Sequence, residues 1–298
     1  MKYMYYSGCS LKASGKPYEE SLHAVLKNLN IQFDELQDWN CCGATAYMSI
    51  DETKAFTLAG RNLALAEHQN GSPDVELMAP CSACYLVLMK AQKYITNHPE
   101  MGETVKKTLN DIGLSYEGKV KVRHPLDILV NDIGLPAIKK AVKKPLKGLK
   151  VVSYYGCQIV RPFEQFDDAR DPHTMDDLVK AMGATPVDWS LKTRCCGGSL
   201  INTIHEVGLR LSYLILKEAQ DRKADVMITV CPLCQFNLEC YRGEMERLYG
   251  EKITIPVVYF TQLLGEALGI SEKELGLQRS LIPLNYMQKL NVKENVHA

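Results

Sequence analysis

The chain has 298 residues, and 46% of them are hydrophobic, which is enough to build the core of one large domain or of two ordinary ones. Lysine and arginine together number 35, as do aspartate and glutamate, so no overall charge favours binding to nucleic acid or to an anionic membrane. The sequence shows neither a signal-peptide core at its start nor an uncharged apolar run of about 18 residues. We therefore expect a cytoplasmic protein with no membrane span and no nucleic-acid partner.

The first half alternates predicted strands and helices, with cysteines at the strand ends. YMYYSGC predicts a strand that ends near Cys9, and a loop with an adjacent cysteine pair, CCG, comes later. The periodicity of residues 51–71 predicts a long helix that stops at Gly71. The strand VELMAP then runs into CSAC, which opens a helix over 82–95. VKVRHPLDILV predicts a fourth strand-helix unit, with the helix beginning at Pro125.

The second half repeats this order after a linker. Residues 139–148 combine lysine, proline and glycine, so we place the boundary there, between an N-terminal domain over 1–145 and a C-terminal domain with its tail over 146–298. Helices are predicted over 202–224 and 232–249. Because strands alternate with helices, the expected fold class is α/β, with two pseudo-symmetric domains that are each a small, mainly parallel sheet flanked by helices.

Ten of the eleven cysteines form two sets with one pattern, C…CC…CxxC. The first set is Cys9, Cys41, Cys42, Cys81 and Cys84, and the second set is Cys157, Cys195, Cys196, Cys231 and Cys234. The spacings differ between the sets, with 31 and 38 intervening residues in the first and 37 and 34 in the second. Cys240 has no counterpart, because Lys90 stands in its place, and we expect it to be a buried, inert thiol.

The adjacent cysteines indicate metal binding. A disulfide between neighbours is strained, because their Cα atoms lie about 3.8 Å apart where a relaxed bridge needs about 5.5 Å. A zinc ion takes four ligands and would leave one cysteine over in each half, which favours a polynuclear iron–sulfur cluster. Zinc in one or both halves and a thioredoxin-like dithiol at CPLC stay open as alternatives.

The doubled pattern, with SGC, CCG and CPLC in this order, resembles the paired cysteine-rich CCG domains of the heterodisulfide reductase B subunit from methanogens and its relatives. The resemblance implies a methanogenesis oxidoreductase that reduces CoM-S-S-CoB, the mixed disulfide of coenzyme M and coenzyme B. It also implies two noncubane [4Fe-4S] clusters, each held by one complete set of five cysteines. The implied partners are a ferredoxin-like C subunit, a flavin-containing A subunit, and a hydrogenase or formate dehydrogenase in a larger complex.

Two clusters suit this reaction, because disulfide reduction takes two electrons while an iron–sulfur cluster usually passes one at a time. Each cluster could then accept one of the two sulfur atoms as a thiolate. The alternative function is a CCG iron–sulfur subunit of another redox complex, linked to a quinone or to a 2-hydroxy acid, which would use the same cysteines. A zinc-stapled structural scaffold is the non-enzymatic alternative.

Cationic side chains near the cysteine loops are candidates for contacts with the anionic groups that the resemblance implies in the substrate; a solvated surface position is the commoner role of such residues, and Arg161 and Arg194 stand out by their closeness to cysteines. They are Lys12, Arg161, Lys192, Arg194 and His205. His124 could hydrogen-bond a cluster sulfur or donate a proton, or serve a local structural role. Gly43 and Gly197 would admit a bulky cofactor or cap a turn, and Trp39 and Trp189 would shield the clusters or fill the core.

Overall fold

Two four-stranded sheets form the frame of the protein in a computed structural model that describes residues 2–44, 46–70 and 74–287. The strands are β1 (Lys2–Tyr5), β2 (Gln32–Glu35), β3 (Val75–Met78), β4 (Val120–Arg123), β5 (Lys150–Tyr154), β6 (Thr185–Pro186), β7 (Val226–Thr229) and β8 (Val257–Tyr259). The first sheet has the order β2-β1-β3-β4 and the second the order β6-β5-β7-β8. All six pairings are parallel, which confirms the predicted α/β class.

The two sheets have the same topology, so the sequence repeat is also a structural repeat. Strands β5 and β7 read as nearly continuous apolar runs, and every residue of β7 is buried. Such runs are typical of parallel strands that are covered on both faces. The carboxyl ends of neighbouring parallel strands meet at one edge of each sheet, and this edge is where a ligand site is expected.

Helices connect the strands in both halves. They are α1 (Gly8–Leu11), α2 (Lys16–Asn28), α3 (Ala46–Ile50), α4 (Glu52–Asn70), α5 (Ser82–Asn97), α6 (Pro99–Asp111), α7 (Pro125–Asp127), α8 (Leu135–Ala141), α9 (Thr174–Ala181), α10 (His205–Asp221), α11 (Pro232–Cys240), α12 (Arg242–Tyr249) and α13 (Phe260–Ala267). A π-helix covers Ile128–Gly134, and 3-10 helices cover Gly198–Asn202 and Leu277–Arg279. No helix in the described part of the chain is long and apolar enough to cross a membrane.

The predicted helices agree with the observed ones except in two places. Helix α4 runs to Asn70, and its predicted stop at Gly71 lies outside the described residues. The single helix predicted over 232–249 is instead two helices, α11 and α12, because Tyr241 leaves the helical conformation at φ −96° and ψ 11°. The break lets Arg242 turn inward, where its guanidinium donates a hydrogen bond to the Ile255 carbonyl at 2.5 Å.

The chain divides into two compact units. One unit comprises the residues up to Ala13 together with Asn30–Pro125, and the other comprises Ser14–Leu29 together with all residues from Leu126 onward. Each unit contains one complete set of five cysteines. The boundary predicted at residue 145 concerns the sequence repeat and stays a prediction.

Helix α2 belongs to the second unit, although it comes from the first half of the sequence. Its Tyr18 ring stacks on the ring of Tyr259, with a distance of 4.5 Å between centroids. Its Ser21 hydroxyl shares a buried hydrogen bond of 2.7 Å with the hydroxyl of Thr261 on α13. Aromatic stacking and a satisfied buried polar pair both stabilise this packing.

Candidate metal centres

The cysteines follow the strand ends that the sequence predicts. Strands β1 and β3 are neighbours in the first sheet, and β5 and β7 are neighbours in the second, so the cysteines after each pair of strands come to the same edge. Cys81 and Cys231 are the N-cap residues of α5 and α11. Backbone N–H groups and the helix dipole favour a thiolate at such a position. The CC pairs lie in the loops after β2 and β6, at the same edges.

The five sulfur atoms of the first set form one connected group. The Cys42 and Cys84 sulfur atoms lie 3.3 Å apart. Cys41 hydrogen-bonds both Cys42 and Cys9, and Cys84 hydrogen-bonds Cys81 as well as Cys42. The first half therefore brings together all five of its predicted ligands.

The second set is arranged in the same way. The Cys196 and Cys234 sulfur atoms lie 3.5 Å apart. Cys234 also hydrogen-bonds Cys231, and Cys157 hydrogen-bonds Cys195. Cys157 interacts electrostatically with Cys196 and Cys231, which links the two parts of the group. All eleven cysteines of the chain carry free thiols, as expected for a protein that does not use disulfide staples.

One thiol in each set ionises readily. Hydrogen bonds from Cys42 and then Cys9 hold the pKa of Cys41 well below its usual range. A hydrogen bond from Cys157 is the main cause that lowers the pKa of Cys195 to about 6. In both cases a neighbouring thiol donates to a thiolate, which stabilises the charged form.

One buried thiol in each set resists ionisation while no cation is near. The pKa of Cys84 is raised well above its usual value by Cys42, Cys81 and burial, and that of Cys234 by Cys196, Cys231 and burial in the same way. Several thiolates at such distances repel one another unless cations neutralise them. Five clustered thiols with this electrostatics fit a cluster of several irons. Within the described residues, no three or more His, Cys, Asp or Glu side chains are arranged to hold a single metal ion, in the two sulfur groups or elsewhere.

Glycine precedes the first cysteine of each set, and the sulfur atoms explain why. Gly8 has φ of +64°, and a Cβ there would lie 3.2 Å from Cys84 Sγ. Gly156 has φ of +67°, and a Cβ there would lie 3.0 Å from Cys234 Sγ. Both positions thus need the conformational freedom and the small size of glycine. The repetition of glycine before Cys9 and Cys157 is the sequence signal from which this close contact could have been predicted.

The glycines that follow the CC pairs have a packing role. Gly43 has φ of +80°, and a Cβ there would lie 3.3 Å from Ala55 Cα on α4. Gly197 has φ of +94°, and a Cβ there would lie 2.8 Å from Gly208 Cα on α10. Each glycine therefore lets its loop pack closely against the next long helix. That these glycines also admit a cofactor stays a prediction.

A pair of corresponding tyrosines, which is not among the residues predicted from the sequence, fixes the CC loops. The Tyr6 hydroxyl donates a 2.8 Å hydrogen bond to the Asn40 carbonyl, and the Tyr154 hydroxyl donates a 2.7 Å hydrogen bond to the Arg194 carbonyl. Asn40 and Arg194 each precede a CC pair. Burial, followed by the charge of Cys84, raises the pKa of the Tyr6 hydroxyl far above its usual value. The hydroxyl therefore stays protonated and can donate its hydrogen bond to the loop.

Lys12 and His205 each pair with a carboxylate near the protein surface. Lys12 Nζ lies 2.7 Å from a Glu35 carboxylate oxygen. His205 Nε2 lies 2.9 Å from Glu244, and its Nδ1 lies 2.7 Å from the Ile201 carbonyl. Hydrogen bonding to the Ile201 carbonyl and to Glu244 raises the pKa of His205, because both acceptors favour the protonated ring.

Lys192 differs from its prediction as a solvated or substrate-facing side chain. Its side chain is only 3% exposed, and its ammonium group lies 2.8 Å from Asp176 and 3.0 Å from Asp171. The Lys192 carbonyl accepts hydrogen bonds from the backbone N–H groups of Tyr155 and Gly156, at 2.9 and 3.2 Å. A buried ion pair thus holds the loop that leads into the second CC pair.

Arg161 and Arg194 are exposed residues beside the second set. The Arg161 guanidinium donates to the Thr193 carbonyl, two residues before Cys195. Its positive charge adds to the causes that lower the pKa of Cys195. Among the cationic candidates, only these two combine an exposed residue with a place beside a cysteine and no ion pair in the described structure.

The remaining candidates have structural roles in the described contacts. His124 is fully buried, and its Nε2 lies 2.8 Å from the Pro80 carbonyl. Trp189 is buried, and its indole N–H donates to the Ser153 carbonyl at 3.0 Å. Trp39 is only partly buried and lies edge-on to Tyr6, with 5.8 Å between the ring centroids.

The prediction of a buried Cys240 is wrong. Cys240 is exposed, as the last residue of α11. Cys240 lies six positions after the buried Cys234, which places it about 120° away around the helix. That face of the last helical turn is open to solvent, so the apolar character of a thiol does not decide its place.

The chain is similar in sequence to proteins of one known family. The profile of the CCG family, described as a cysteine-rich domain, matches residues 3–89 and 151–239. The 8-methylmenaquinol:fumarate reductase membrane anchor subunit of Wolinella succinogenes is 31% identical, over 94% of this chain and 97% of that one. The B subunit of the ferredoxin/F420H2-dependent CoB-CoM heterodisulfide reductase of Methanosarcina acetivorans is 31% identical, over 93% of this chain and 92% of that one.

A solved structure supports the fold alone. A hypothetical protein from Helicobacter pylori superposes with a TM-score of 0.76 at 16% identity, over 94% of this chain. This chain spans about half of that one, 51% of its length. Each of the two segments that match the CCG profile contains one complete set of five clustered cysteines. The chain therefore belongs to the cysteine-rich CCG domain family, as a redox protein related to the B subunit of heterodisulfide reductase.

Proposed function

We propose that this chain is the catalytic B subunit of a heterodisulfide reductase, which reduces CoM-S-S-CoB to the thiols of coenzyme M and coenzyme B. The reaction breaks one S–S bond and consumes two electrons and two protons. A noncubane [4Fe-4S] cluster in each half would supply one electron. Cys9, Cys41, Cys42, Cys81 and Cys84 would hold the first cluster, and Cys157, Cys195, Cys196, Cys231 and Cys234 would hold the second.

The observation that carries this proposal is the doubled group of five thiols. The Cys42 and Cys84 sulfur atoms lie 3.3 Å apart in the first half, and the Cys196 and Cys234 sulfur atoms lie 3.5 Å apart in the second. A glycine lies close to a sulfur atom in both groups. A mononuclear zinc site would use four of the five sulfurs in each half. The repetition of the fifth ligand at the same place supports a multi-iron centre in both halves.

The residues around the second set support an anionic substrate. Arg161 and Arg194 are exposed there, and a guanidinium group pairs well with sulfonate, phosphate and carboxylate. Arg161 is oriented by its hydrogen bond to the Thr193 carbonyl. We assign these two arginines, rather than the ion-paired Lys12 and His205, as the first candidates for substrate contacts.

The electron supply would come from other chains of a cytoplasmic complex. Relatives named as heterodisulfide reductase subunits support such an assembly. We propose a ferredoxin-like C subunit as the direct donor. A flavin-containing A subunit and a hydrogenase or formate dehydrogenase would supply that donor.

Metal analysis and an activity assay on anaerobically purified protein test the proposal. We expect iron and acid-labile sulfide, and turnover of CoM-S-S-CoB with a reduced viologen dye as donor. Cys41→Ser and Cys195→Ser should each lower turnover strongly, because either change dismantles one set. Cys240→Ser is the matched control, since this exposed thiol lies outside both sets, and should keep full activity. Stoichiometric zinc without iron, or full turnover in both set variants, would contradict the proposal.

The Wolinella relative favours a second candidate function. Its name, 8-methylmenaquinol:fumarate reductase membrane anchor subunit, describes a quinol-linked complex, and it is as similar to this chain as the methanogen protein. This chain would then be a CCG iron–sulfur subunit that exchanges electrons with a quinone or a 2-hydroxy-acid couple. Turnover with a menaquinol analogue and none with CoM-S-S-CoB would favour this candidate.

A further inference from the structure

The two sulfur groups differ at one buried position. Asn237 on α11 and Val87 on α5 occupy corresponding places, 150 residues apart, three residues after the last cysteine of their sets. The Asn237 side-chain amide lies 3.7 Å from Cys196 Sγ and donates toward it. Val87 is buried too, at 3% exposure, but it has no side-chain hydrogen-bond donor. The second group therefore has an N–H···S contact that its counterpart position cannot provide.

The orientation of this amide is well determined by its neighbours. Asn237 Nδ2 donates to the Gly198 carbonyl at 3.0 Å and approaches the Cys196 carbonyl at 3.5 Å. A flipped amide would bring its oxygen against both carbonyl oxygens, so the N–H group must face the sulfur side. Asn237 Oδ1 is buried and has no hydrogen-bond partner in the described structure. Such an unpaired buried atom is costly and calls for a function that requires the residue.

Backbone donors do not account for the difference between the halves. The Gly43 N–H donates to Cys41 Sγ at 3.5 Å, and the Gly198 N–H donates to Cys196 Sγ at 3.4 Å. The Gly43–Cys41 contact has its counterpart in Gly197–Cys195, and the Gly198–Cys196 contact has its counterpart in Ala44–Cys42, so both groups have the same backbone donors. The Asn237 donor adds to them in the second group only.

Charge adds to the same asymmetry. The exposed Arg161 places its guanidinium on the Thr193 carbonyl, two residues before Cys195. The corresponding place in the first half, 148 residues earlier, is Ala13. The neighbouring Lys12 has its ammonium group 2.7 Å from Glu35, which offsets its charge. Donors and positive charge both stabilise the more negative, reduced form of a centre held by thiolates.

We propose that the centre of the second set has the higher reduction potential of the two, and that Asn237 is a positioning residue that sets this difference through its contact with Cys196. This inference rests on the proposed function, in that each set must hold an iron–sulfur centre. The first of two electrons delivered by the donor protein would then reside in the second half. The first half would be reduced only by the second electron.

A redox titration followed by electron paramagnetic resonance tests the inference. The titration uses anaerobic protein that carries Cys41→Ser, so that only the second centre remains, and compares it with Cys195→Ser, which leaves only the first. We expect the second centre to be reduced at the higher potential. Adding Asn237→Val, which copies the first half, should lower the reduced-to-oxidised ratio at a fixed potential about tenfold, a shift of about 59 mV for one electron.

A matched control separates contact with sulfur from general support of the loop. The Ser212 hydroxyl is buried and donates to the Cys196 carbonyl at 2.8 Å, but it has no hydrogen bond to a sulfur atom in the described structure. Ser212→Ala should therefore leave the midpoint potential unchanged. If Asn237→Val loses its iron, Asn237→Leu replaces it, since leucine is close to asparagine in shape, adds no charge and has no N–H donor, and its midpoint should fall as well.

The outcomes distinguish this inference from the proposed function. Protein without iron would refute the proposed function. Two iron centres with equal midpoints, or an iron-loaded Asn237→Val or Asn237→Leu variant with the wild-type midpoint, would overturn the inference alone. Loss of iron in both Asn237 variants would also overturn it, because Asn237 would then hold the loop and not tune the centre.

Discussion

Replacing Gly156 with alanine tests whether the backbone ahead of Cys157 is shaped by the sulfur atom beside it. Gly156 has φ of +67°, and an added Cβ would lie 3.0 Å from Cys234 Sγ. Gly250 has the same φ of +67°, but an added Cβ there would meet nothing within 4 Å. Gly250→Ala therefore measures the backbone cost alone, and the difference between the two variants measures the contact with sulfur.

The expected magnitudes follow from these distances. A left-handed conformation costs alanine about 1–2 kcal/mol, so both variants should lose that much free energy of unfolding. Only Gly156→Ala also overpacks a buried site, which typically costs about 1–3 kcal/mol more. Because non-bonded carbon contacts are optimal near about 3.5–4.0 Å, Cys234 Sγ must move by about 0.5 Å. Metal–ligand distances tolerate only about 0.2 Å, so the second centre should not form.

Two measurements check this prediction. Chemical denaturation of the metal-free variants gives the two free energies of unfolding. Iron analysis after anaerobic reconstitution should then give about half of the wild-type iron for Gly156→Ala and all of it for Gly250→Ala. The reasoning is refuted if Gly156→Ala keeps its full iron and is no less stable than Gly250→Ala.

Three further predictions concern ionisable groups. In metal-free Cys240→Ser protein, the rate of Cys195 alkylation by iodoacetamide should be half-maximal near the Cys195 pKa of about 6 and slow below that pH. Peptide mass spectrometry measures the alkylation. A midpoint near the ordinary thiol value of about 8.5 would contradict the site geometry. Burial raises the pKa of Glu239 to about 7, so the folded state binds the extra proton, and stability should fall by about 3 kcal/mol as pH rises from about 4.5 to about 7. Glu239→Gln should remove this part of the slope in denaturation curves and leave the part due to Glu266, whose pKa burial also raises to about 7; an unchanged slope would contradict the prediction. Lys192→Met should lower the free energy of unfolding by about 3 kcal/mol or more, because it leaves Asp176 buried without its partner. Lys180→Met removes an exposed ion pair and should lower it little. Equal losses in the two thermal melts would argue against the buried pair.

The ligand set and the sheet pattern could be predicted because they depend on short stretches of neighbouring residues. Short apolar runs that end on Cys9, Cys81, Cys157 and Cys231 indicate parallel strands, and the repeat shows which cysteines correspond. The N-cap positions of Cys81 and Cys231 follow from the helical pattern that begins after them. Patterns of this kind depend on periodicity and need no knowledge of tertiary contacts.

The residues that escaped prediction are those whose roles depend on distant parts of the chain. Lys192 looks like a surface residue until Asp176 is brought beside it. Gly156 needs Cys234, 78 positions later, to explain its lack of a side chain. Asn237 reads as an ordinary polar residue of a helix, and only the fold brings its amide to Cys196. Tertiary packing decides such roles, and single-sequence patterns do not encode it.

The path of the backbone also limits how the protein can be divided. The chain leaves its first compact unit after Ala13, contributes α2 to the second, and returns at Asn30. No single cleavage of the chain therefore yields either unit as one continuous fragment. A clone that starts after residue 145 would lack α2 and leave the partner surface of α13 bare, inviting aggregation. Such a fragment should regain solubility when it is combined with a second fragment that contains Ser14–Leu29.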